Sequence, residues 1–193
     1  WHIRIDGEVS AEVGGLHRQW QLQAAAQEAS AMEEREWQVQ VAAPPRVLVF
    51  GAAPETPTLL PLLRSLGWMT TLVERRERWQ VEARHADVVV DAMPEAALSS
   101  FDAQGFDAAL VMNHNFEMDR EALFALENTS IPFIGLLGPM RRKDDLFRVL
   151  PVAARDALQP RLRSPVGLKL GGQGPEAIAL SIAAQLQAYR FPQ

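Results

Sequence analysis

The sequence predicts an α/β fold in which a doubly wound parallel sheet is covered by helices on both faces. From Arg46 onward, apolar runs typical of buried strands alternate with stretches that have helical spacing. Glycine and proline residues separate these runs. The composition, with 48% hydrophobic and 22% charged residues, is that of an ordinary globular protein.

Short apolar runs predict five strands. The first, Val47-Leu48-Val49-Phe50, is continuous, as expected for a strand that is buried on both faces. Because helices intervene, the strands should be parallel and joined by right-handed crossovers. The predicted strands cover residues 47–50, 69–73, 88–90, 107–112 and 131–137.

Helices are predicted between and after these strands. Leucines from Leu59 to Leu66 have helical spacing, and Gly67 is placed to end that helix. An amphipathic stretch at 118–126 predicts a second helix. Another begins at Gly174-Pro175, because glycine suits the cap and proline the first helical position. The resulting doubly wound sheet should bind ligands beyond the carboxyl ends of its strands.

Residues 1–43 differ in composition from the rest, and Pro44-Pro45 marks the boundary. Alternating apolar residues around Asp6-Gly7, continuing to Val13, predict a β-hairpin. The Gln-, Ala- and Glu-rich stretch from Leu16 to Val41 predicts a linker helix. We therefore expect a short N-terminal α+β segment at 1–43 and a Rossmann-like domain at 44–193.

Bulk properties argue against several classes of function. The net charge is −5 with scattered Lys and Arg, which argues against nucleic-acid binding. No run approaches the ~20 apolar residues of a membrane helix, and the first six residues lack the apolar core that a secretory signal requires. The absence of Cys excludes disulfides and thiolate sites, and we predict no metal site. The chain does not begin with Met, so we expect a fragment or processed product, and a cytoplasmic location.

The first candidate loop, Gly51 to Thr56, follows the first strand directly. In dinucleotide folds this turn holds a pyrophosphate, and Gly51 suits the tight turn, whereas Ala53 replaces the second glycine. Glu74 ends the second strand 23 positions after Gly51, near the ~20-residue offset of a ribose-binding acid. The alternative is a strand–helix turn that binds nothing.

The loop after the fourth strand also carries candidate residues. Asn113 and His114 follow the fourth strand, where an imidazole could transfer a proton or serve only as a structural hydrogen-bonding group. His114 is a weak catalytic candidate, and no other catalytic residue is predicted. The arginines at 75–76 directly follow Glu74. They could hold a 2′-phosphate or be exposed charges at the end of the second strand.

The fifth strand runs into a glycine-rich basic turn. Gly135 and Gly138 allow close backbone approach, and the cations that follow could neutralise a phosphate. Arg141 and Arg142 are therefore candidate cofactor-binding residues. The alternative is a solvated basic turn offset by the acids at 144–145.

Several linked stretches resemble the XdhC/CoxI family. They are LVMNHN at 110–115, FIGLLGPMRR at 133–142, SPVGLKLG at 164–171 and GPEAIALSI at 174–182. The resemblance runs from about residue 46 to the C-terminus, and its motifs occur in the family's order. Residues 1–30 resemble the end of the family's N-terminal domain, with the expected Cys replaced around Leu16-His17.

The resemblance implies a Rossmann-like domain in an accessory protein that matures molybdenum hydroxylases of the xanthine dehydrogenase type. Such a protein would be a homodimer that binds the molybdenum cofactor (molybdopterin) and helps its sulfuration or insertion. Its implied protein partners are the apoenzyme and a cysteine desulfurase. Two alternatives stay open. One is an NAD(P)-dependent oxidoreductase that uses Glu74 and His114; the other is a ligand-free interaction module, favoured if the turn at 53–55 closes the phosphate seat.

Overall fold

The computed structural model describes residues 2–3, 8–13, 16–21, 43–101 and 105–191. The chain divides into two compact units, Trp1–Ala42 and Ala43–Gln193. This division lies next to the boundary expected at the two prolines.

The N-terminal unit contains an antiparallel sheet of three strands, β1 (His2–Ile3), β2 (Glu8–Val13) and β3 (Leu16–Gln21). β1 and β2 pair antiparallel, as in the predicted hairpin, with Ile3 opposite Val9. The predicted turn at Asp6-Gly7 lies outside the described residues.

A linker helix was predicted from residue 16 to residue 41, and this prediction is wrong for its first residues. Leu16–Gln21 forms β3, which pairs with β2 along the full length of both strands. Helix propensity is a weak preference, and a continuous ladder to a neighbouring strand outweighs it. The remainder of the predicted helix, 22–41, lies outside the described residues.

The second unit contains a parallel sheet of six strands in the order β6-β5-β4-β7-β8-β9. The chain begins with the central strand β4, adds β5 and β6 on one side of it, and then adds β7, β8 and β9 on the other side. This is the strand order of Rossmann folds, so the predicted fold class is confirmed. The strands are β4 (Arg46–Phe50), β5 (Met69–Val73), β6 (Val88–Val90), β7 (Ala108–Val111), β8 (Ile134–Leu136) and β9 (Leu162–Arg163).

The predicted helix boundaries are confirmed at two ends. The first helix stops just before Gly67, whose φ is +85°, and the last begins directly after Gly174. No helix in the described part of the chain is long and apolar enough to cross a membrane. The helices are α1 (Thr56–Ser65), a 3₁₀ helix (Glu77–His85), α2 (Pro94–Ser100), α3 (Phe116–Leu126), α4 (Met140–Val149), α5 (Val152–Leu158) and α6 (Pro175–Arg190).

Two apolar cores lie on opposite faces of the sheet. Val47 and Val49 pack with α1 and α6, whereas Leu48 and Phe50 pack with α2, α3, α4 and α5. Successive side chains of a strand point to opposite faces, so both sets are buried. This explains the unbroken apolar run in β4.

Candidate functional site

The predicted site residues meet at the carboxyl edge of the sheet, where β4 and β7 are neighbours and the strand order reverses. Hydrogen bonds connect the turn after β4 to the ends of β5 and β7. Further bonds connect the end of β7 to α4 through one carboxylate of α3. The loops that the sequence placed at one edge therefore form one connected cluster.

Gly51 is needed for packing. Its φ is +87°, and a Cβ at this position would collide with both the side chain and the backbone of Asn113. Its N–H donates to the carbonyl of Val73 at 2.9 Å. The missing side chain therefore lets β4 and β7 end close together.

The next backbone N–H groups of this turn also bond within the protein. Ala52 N donates to Glu74 Oε2 at 2.7 Å, and Ala53 N donates to Thr56 Oγ1 at 2.8 Å. Thr56 N in turn donates to the carbonyl of Ala53 at 2.9 Å. Ala53 is itself fully buried. These three N–H groups are not available to an external phosphate.

The remaining two positions of the turn are closed as well. Pro54 has no N–H to offer. The carboxylate of Glu55 lies 3.4 Å from His114 Nε2. Glu55 is buried, at 4% exposure. The backbone N–H groups of residues 51, 52, 53 and 56 therefore all have partners inside the protein.

Glu74 is buried at the end of β5, and both of its oxygens are occupied. Oε2 accepts from Ala52 N and from Arg76 Nη2 at 2.6 Å, while Oε1 accepts from Arg76 N at 2.7 Å and Nε at 2.9 Å. Burial alone would raise the pKa of Glu74, but the Arg76 side chain and these backbone donors outweigh it and lower that pKa. A ribose hydroxyl would have to displace one of these bonds.

Arg76 spans the same turn. Besides Glu74, its guanidinium donates to the carbonyls of Ala52 at 2.8 Å and Asn113 at 2.7 Å. Arg75 pairs with Glu121 at 2.6 Å. Neither arginine stands free for a 2′-phosphate.

The turn after β4 does not fit a dinucleotide. A pyrophosphate is held by several free N–H groups at the start of a helix, whereas those of residues 51, 52, 53 and 56 are already bonded within the protein. Two buried carboxylates, Glu55 and Glu74, add negative charge where the ligand's own charge would lie.

Asp119, on α3, fixes two of the predicted residues. Its Oδ1 accepts from both the N–H and the side-chain amide of Asn113, each at 3.1 Å. Its Oδ2 accepts from Arg142 Nε at 2.9 Å and also from Arg142 Nη2. Because the Asp119 side chain is fully buried, Arg142 neutralises a buried charge and is not free to hold an external phosphate.

The sequence offered a signal for Asp119. The apolar stripe of α3 includes Ala122, Leu123 and Leu126, and Asp119 lies on the same face, one turn earlier. A carboxylate on a buried stripe requires a cationic or hydrogen-bonding partner. Asp119 was nevertheless not among the site residues predicted from the sequence.

Gly135 and Gly138 also serve packing. A Cβ at Gly135 would approach Val166 Cγ2 to 2.6 Å and Leu110 Cδ2 to 2.7 Å. Gly138 has a φ of +129°, and a Cβ there would lie 2.7 Å from Arg142 Cδ. Both glycines let neighbouring side chains pack directly against the backbone.

His114 and Arg141 are the predicted side chains that remain accessible within the described ranges. The imidazole of His114 is 51% exposed, and Arg141 is exposed at the start of α4. Met140 and Arg141 fill the first two positions of α4, where backbone N–H groups have no partner within a helix. An anion at this edge would therefore meet donors after β8 rather than after β4.

Comparisons with known proteins agree with this architecture. A family model described as the XdhC Rossmann domain matches residues 47–186. The chain is 32% identical, over 144 residues, to a probable xanthine dehydrogenase subunit from Bacillus subtilis, covering 74% of this chain and 42% of that protein. It is 33% identical, over 93 residues, to an uncharacterised protein of Escherichia coli, covering 47% of this chain and 17% of that protein.

A crystal structure of a xanthine dehydrogenase from Bacillus halodurans has a similar fold, with a TM-score of 0.65 and 32% identity. The similarity covers 75% of this chain and 44% of that one. The chain thus spans less than half the length of each of these relatives.

Proposed function

The chain belongs to the XdhC family, and from this membership we propose that it acts in the maturation of a molybdenum hydroxylase of the xanthine dehydrogenase type. In this role the protein meets the hydroxylase apoenzyme and aids the sulfuration or insertion of its molybdenum cofactor. A cysteine desulfurase as sulfur donor and a homodimeric state belong to the same proposal.

One observation favours an accessory role over an NAD(P)-dependent oxidoreductase. In the turn after β4, protein groups occupy the backbone N–H groups of residues 51, 52, 53 and 56, and Pro54 has none. An oxidoreductase would also need Glu74 for the ribose, and that carboxylate is already bonded on both oxygens. Nicotinamide chemistry therefore has no prepared binding place at this turn.

We propose further that the phosphate of molybdopterin binds at the start of α4. The N–H groups of Met140 and Arg141 have no partner within the helix, and the Arg141 side chain is exposed. His114 lies on the neighbouring loop and is accessible to the same ligand. Arg142 stays outside this binding site because it pairs with Asp119.

Binding of purified molybdopterin tests this assignment. Arg141→Ala should weaken binding at least about tenfold, as expected when one charge-assisted hydrogen bond is lost. Arg148→Ala is the matched control, since Arg148 is exposed at the other end of α4. The measurement is a fluorescence titration of each variant. Equal affinities for Arg141→Ala and the wild type would contradict the site.

Arg142→Ala should lower the stability of the protein. Removing the guanidinium leaves the Asp119 carboxylate buried without its counter-ion, which costs about 3–5 kcal/mol. Urea denaturation should show this loss for Arg142→Ala, whereas Arg141→Ala should lie within about 0.5 kcal/mol of the wild type. Similar stabilities for the two variants would show that the pair with Asp119 contributes little.

A ligand-free interaction module is the second candidate, and the closed turn after β4 favours it. Mass spectrometry of the natively purified protein separates the two candidates. A co-purifying pterin supports cofactor binding. No bound pterin, together with no saturable binding of added molybdopterin, supports the ligand-free module.

A further inference from the structure

A groove runs between α2 and α3 on the surface of the second unit. Its lining includes Met93 and Glu95 from the beginning of α2, and Arg120 and Phe124 from α3. Its volume is about 730 Å³, which is enough to receive several side chains of a partner. Both large apolar side chains are close to half exposed, Met93 at 44% and Phe124 at 46%. Neighbouring exposed apolar groups with a polar rim are typical of an interaction surface.

The two walls of this groove are fixed to each other. Arg75, which follows β5, donates to the sulfur of Met93 and also pairs with Glu121 of α3 at 2.6 Å. These contacts hold the residue before α2 and the middle of α3 in one arrangement. A surface that is fixed before binding loses little conformational freedom when a partner arrives. The groove is therefore prepared for a partner of fixed shape.

Four groups follow one another along the groove in a definite order. α2 and α3 each connect two parallel strands, so both helices run away from the carboxyl edge of the sheet. Met93 and Glu95 lie at the start of α2, whereas Arg120 and Phe124 lie about one and two turns into α3. From the carboxyl edge inward, the order is therefore apolar, acidic, basic and apolar.

This order is complementary to its own reverse. A second copy of the chain, related by a twofold axis perpendicular to the groove, presents the same groups from the opposite end. Phe124 then contacts the partner's Met93, and Arg120 faces the partner's Glu95. A twofold interface repeats each contact, so the surface must carry both members of each pair. Aromatic rings pack favourably on thioether sulfur, and the two charges are opposite in sign.

Both charged groups are available for such contacts. Glu95 is exposed, and its carboxylate forms no ion pair within the described ranges of the chain. Arg120 pairs at 2.9 Å with Glu117, whose side chain is 64% exposed. Exposed ion pairs contribute little to stability, so Arg120 can exchange this partner for another at small cost.

We propose that the groove between α2 and α3 is the interface of a homodimer, in which a second copy of this chain supplies the complementary groups. The inference rests on the homodimeric state included in the proposed function. It does not depend on the molybdopterin site, because the start of α4 does not line the groove.

Sedimentation equilibrium of the full chain tests the interface by measuring the dissociation constant of the dimer. Phe124→Glu should raise this constant at least about a hundredfold, because each dimer loses two aromatic contacts and gains two charges within the interface. Leu180→Glu is the matched control, since it changes an apolar residue of similar exposure on α6, and it should leave the constant unchanged. Circular dichroism checks that each variant is folded.

Charge reversal tests the pairing and serves as well if Phe124→Glu does not fold. Glu95→Arg and Arg120→Glu should each raise the dissociation constant at least about tenfold, because like charges then face each other twice in every dimer. The double variant restores opposite charges, and its constant should return to within about threefold of the wild-type value.

The outcomes separate this interface from the proposed function. A monomeric wild type would overturn both the interface and the homodimeric state, whereas the maturation role would stand. A dimeric wild type with an equally tight Phe124→Glu dimer would overturn the interface alone. Failure of the double variant to recover dimerisation would also overturn it, since Arg120 would then not face Glu95 across a twofold axis.

Discussion

At the scale of single residues, several predicted site residues are already bound by other groups of the protein. Glu74 joins the turn after β4 to the end of β5, and Asn113 and Arg142 meet on Asp119. The position of these residues after strands was enough to predict that they share one edge of the sheet. That other protein groups satisfy them could not be predicted, because residue type and spacing do not reveal which carboxylate faces which donor.

Glu74 should make stability depend on acidity. Its pKa is lower in the folded chain than the ordinary value of about 4.3, so the folded state binds fewer protons than the unfolded state as that carboxyl titrates. The stabilisation is complete above the unfolded-state pKa and is lost as the pH falls through the folded-state pKa. Glu74→Gln should therefore unfold more easily at neutral pH, by about 1–3 kcal/mol, and should lose less stability in acid.

Urea denaturation from about pH 3 to 7 checks this prediction. Glu176→Gln serves as control, since it changes an exposed acid. Parallel stability curves for the wild type and Glu74→Gln would show that Glu74 does not carry this pH dependence.

At the scale of elements, one arginine joins the turn between α5 and β9 to the end of α3 and to the connection that leads to β8. Arg161 lies between α5 and β9, and its guanidinium donates to the carbonyls of Leu126 and Glu127, both at 2.9 Å, at the end of α3. It also bonds the carbonyls of Thr129 and Ile131 in the connection to β8. The last carbonyls of a helix have no partner within it, so this side chain completes α3.

Arg161→Ala should therefore destabilise the protein by about 2–4 kcal/mol, because several partly buried carbonyls lose their donor. Arg161→Lys should recover only part of this loss, since an ammonium group cannot reproduce the planar fork of donors. Arg163→Ala, two residues further on, removes an exposed arginine and should have little effect. Equal urea midpoints for the Arg161 and Arg163 variants would contradict this role.

The elements also show which sequence signals are reliable. β5 and β6 have the predicted ranges, because each is a short apolar run between polar residues. The two-residue strand β9 and the short helix α5 were not predicted, since neither is long enough to show a period. β3 was misassigned because its pairing with β2 depends on another strand and not on its own composition.

At the scale of the whole molecule, both apolar cores described here lie within the second unit, between Val47 and Leu186. The fold class and the convergence of the loops were predictable, since parallel strands with intervening helices place all their carboxyl ends on one edge. The closure of the seat after β4 was not predictable in detail. It depends on Glu74 and Thr56, whose side chains accept the N–H groups of Ala52 and Ala53.

A chain that starts at Ala43 should therefore fold by itself. We expect a single cooperative unfolding transition by circular dichroism, with a midpoint close to the corresponding transition of the full chain, because no core residue identified in the described segments is removed. A broad transition without cooperativity would show that residues before Ala43 are required for folding.

The last helix returns to the place where the second unit begins. The carbonyl of Pro45 accepts from Met69 N at 2.8 Å, and Arg190 reaches the carbonyl of Leu66 at 3.5 Å. Because residues 66 and 69 are at most about 11 Å apart along the chain, a linker of a few residues could join the two ends of this unit. The unit is thus suited to circular permutation: new termini at the exposed glycines 171–172 would make α6 the first element synthesised, while it still docks beside α1.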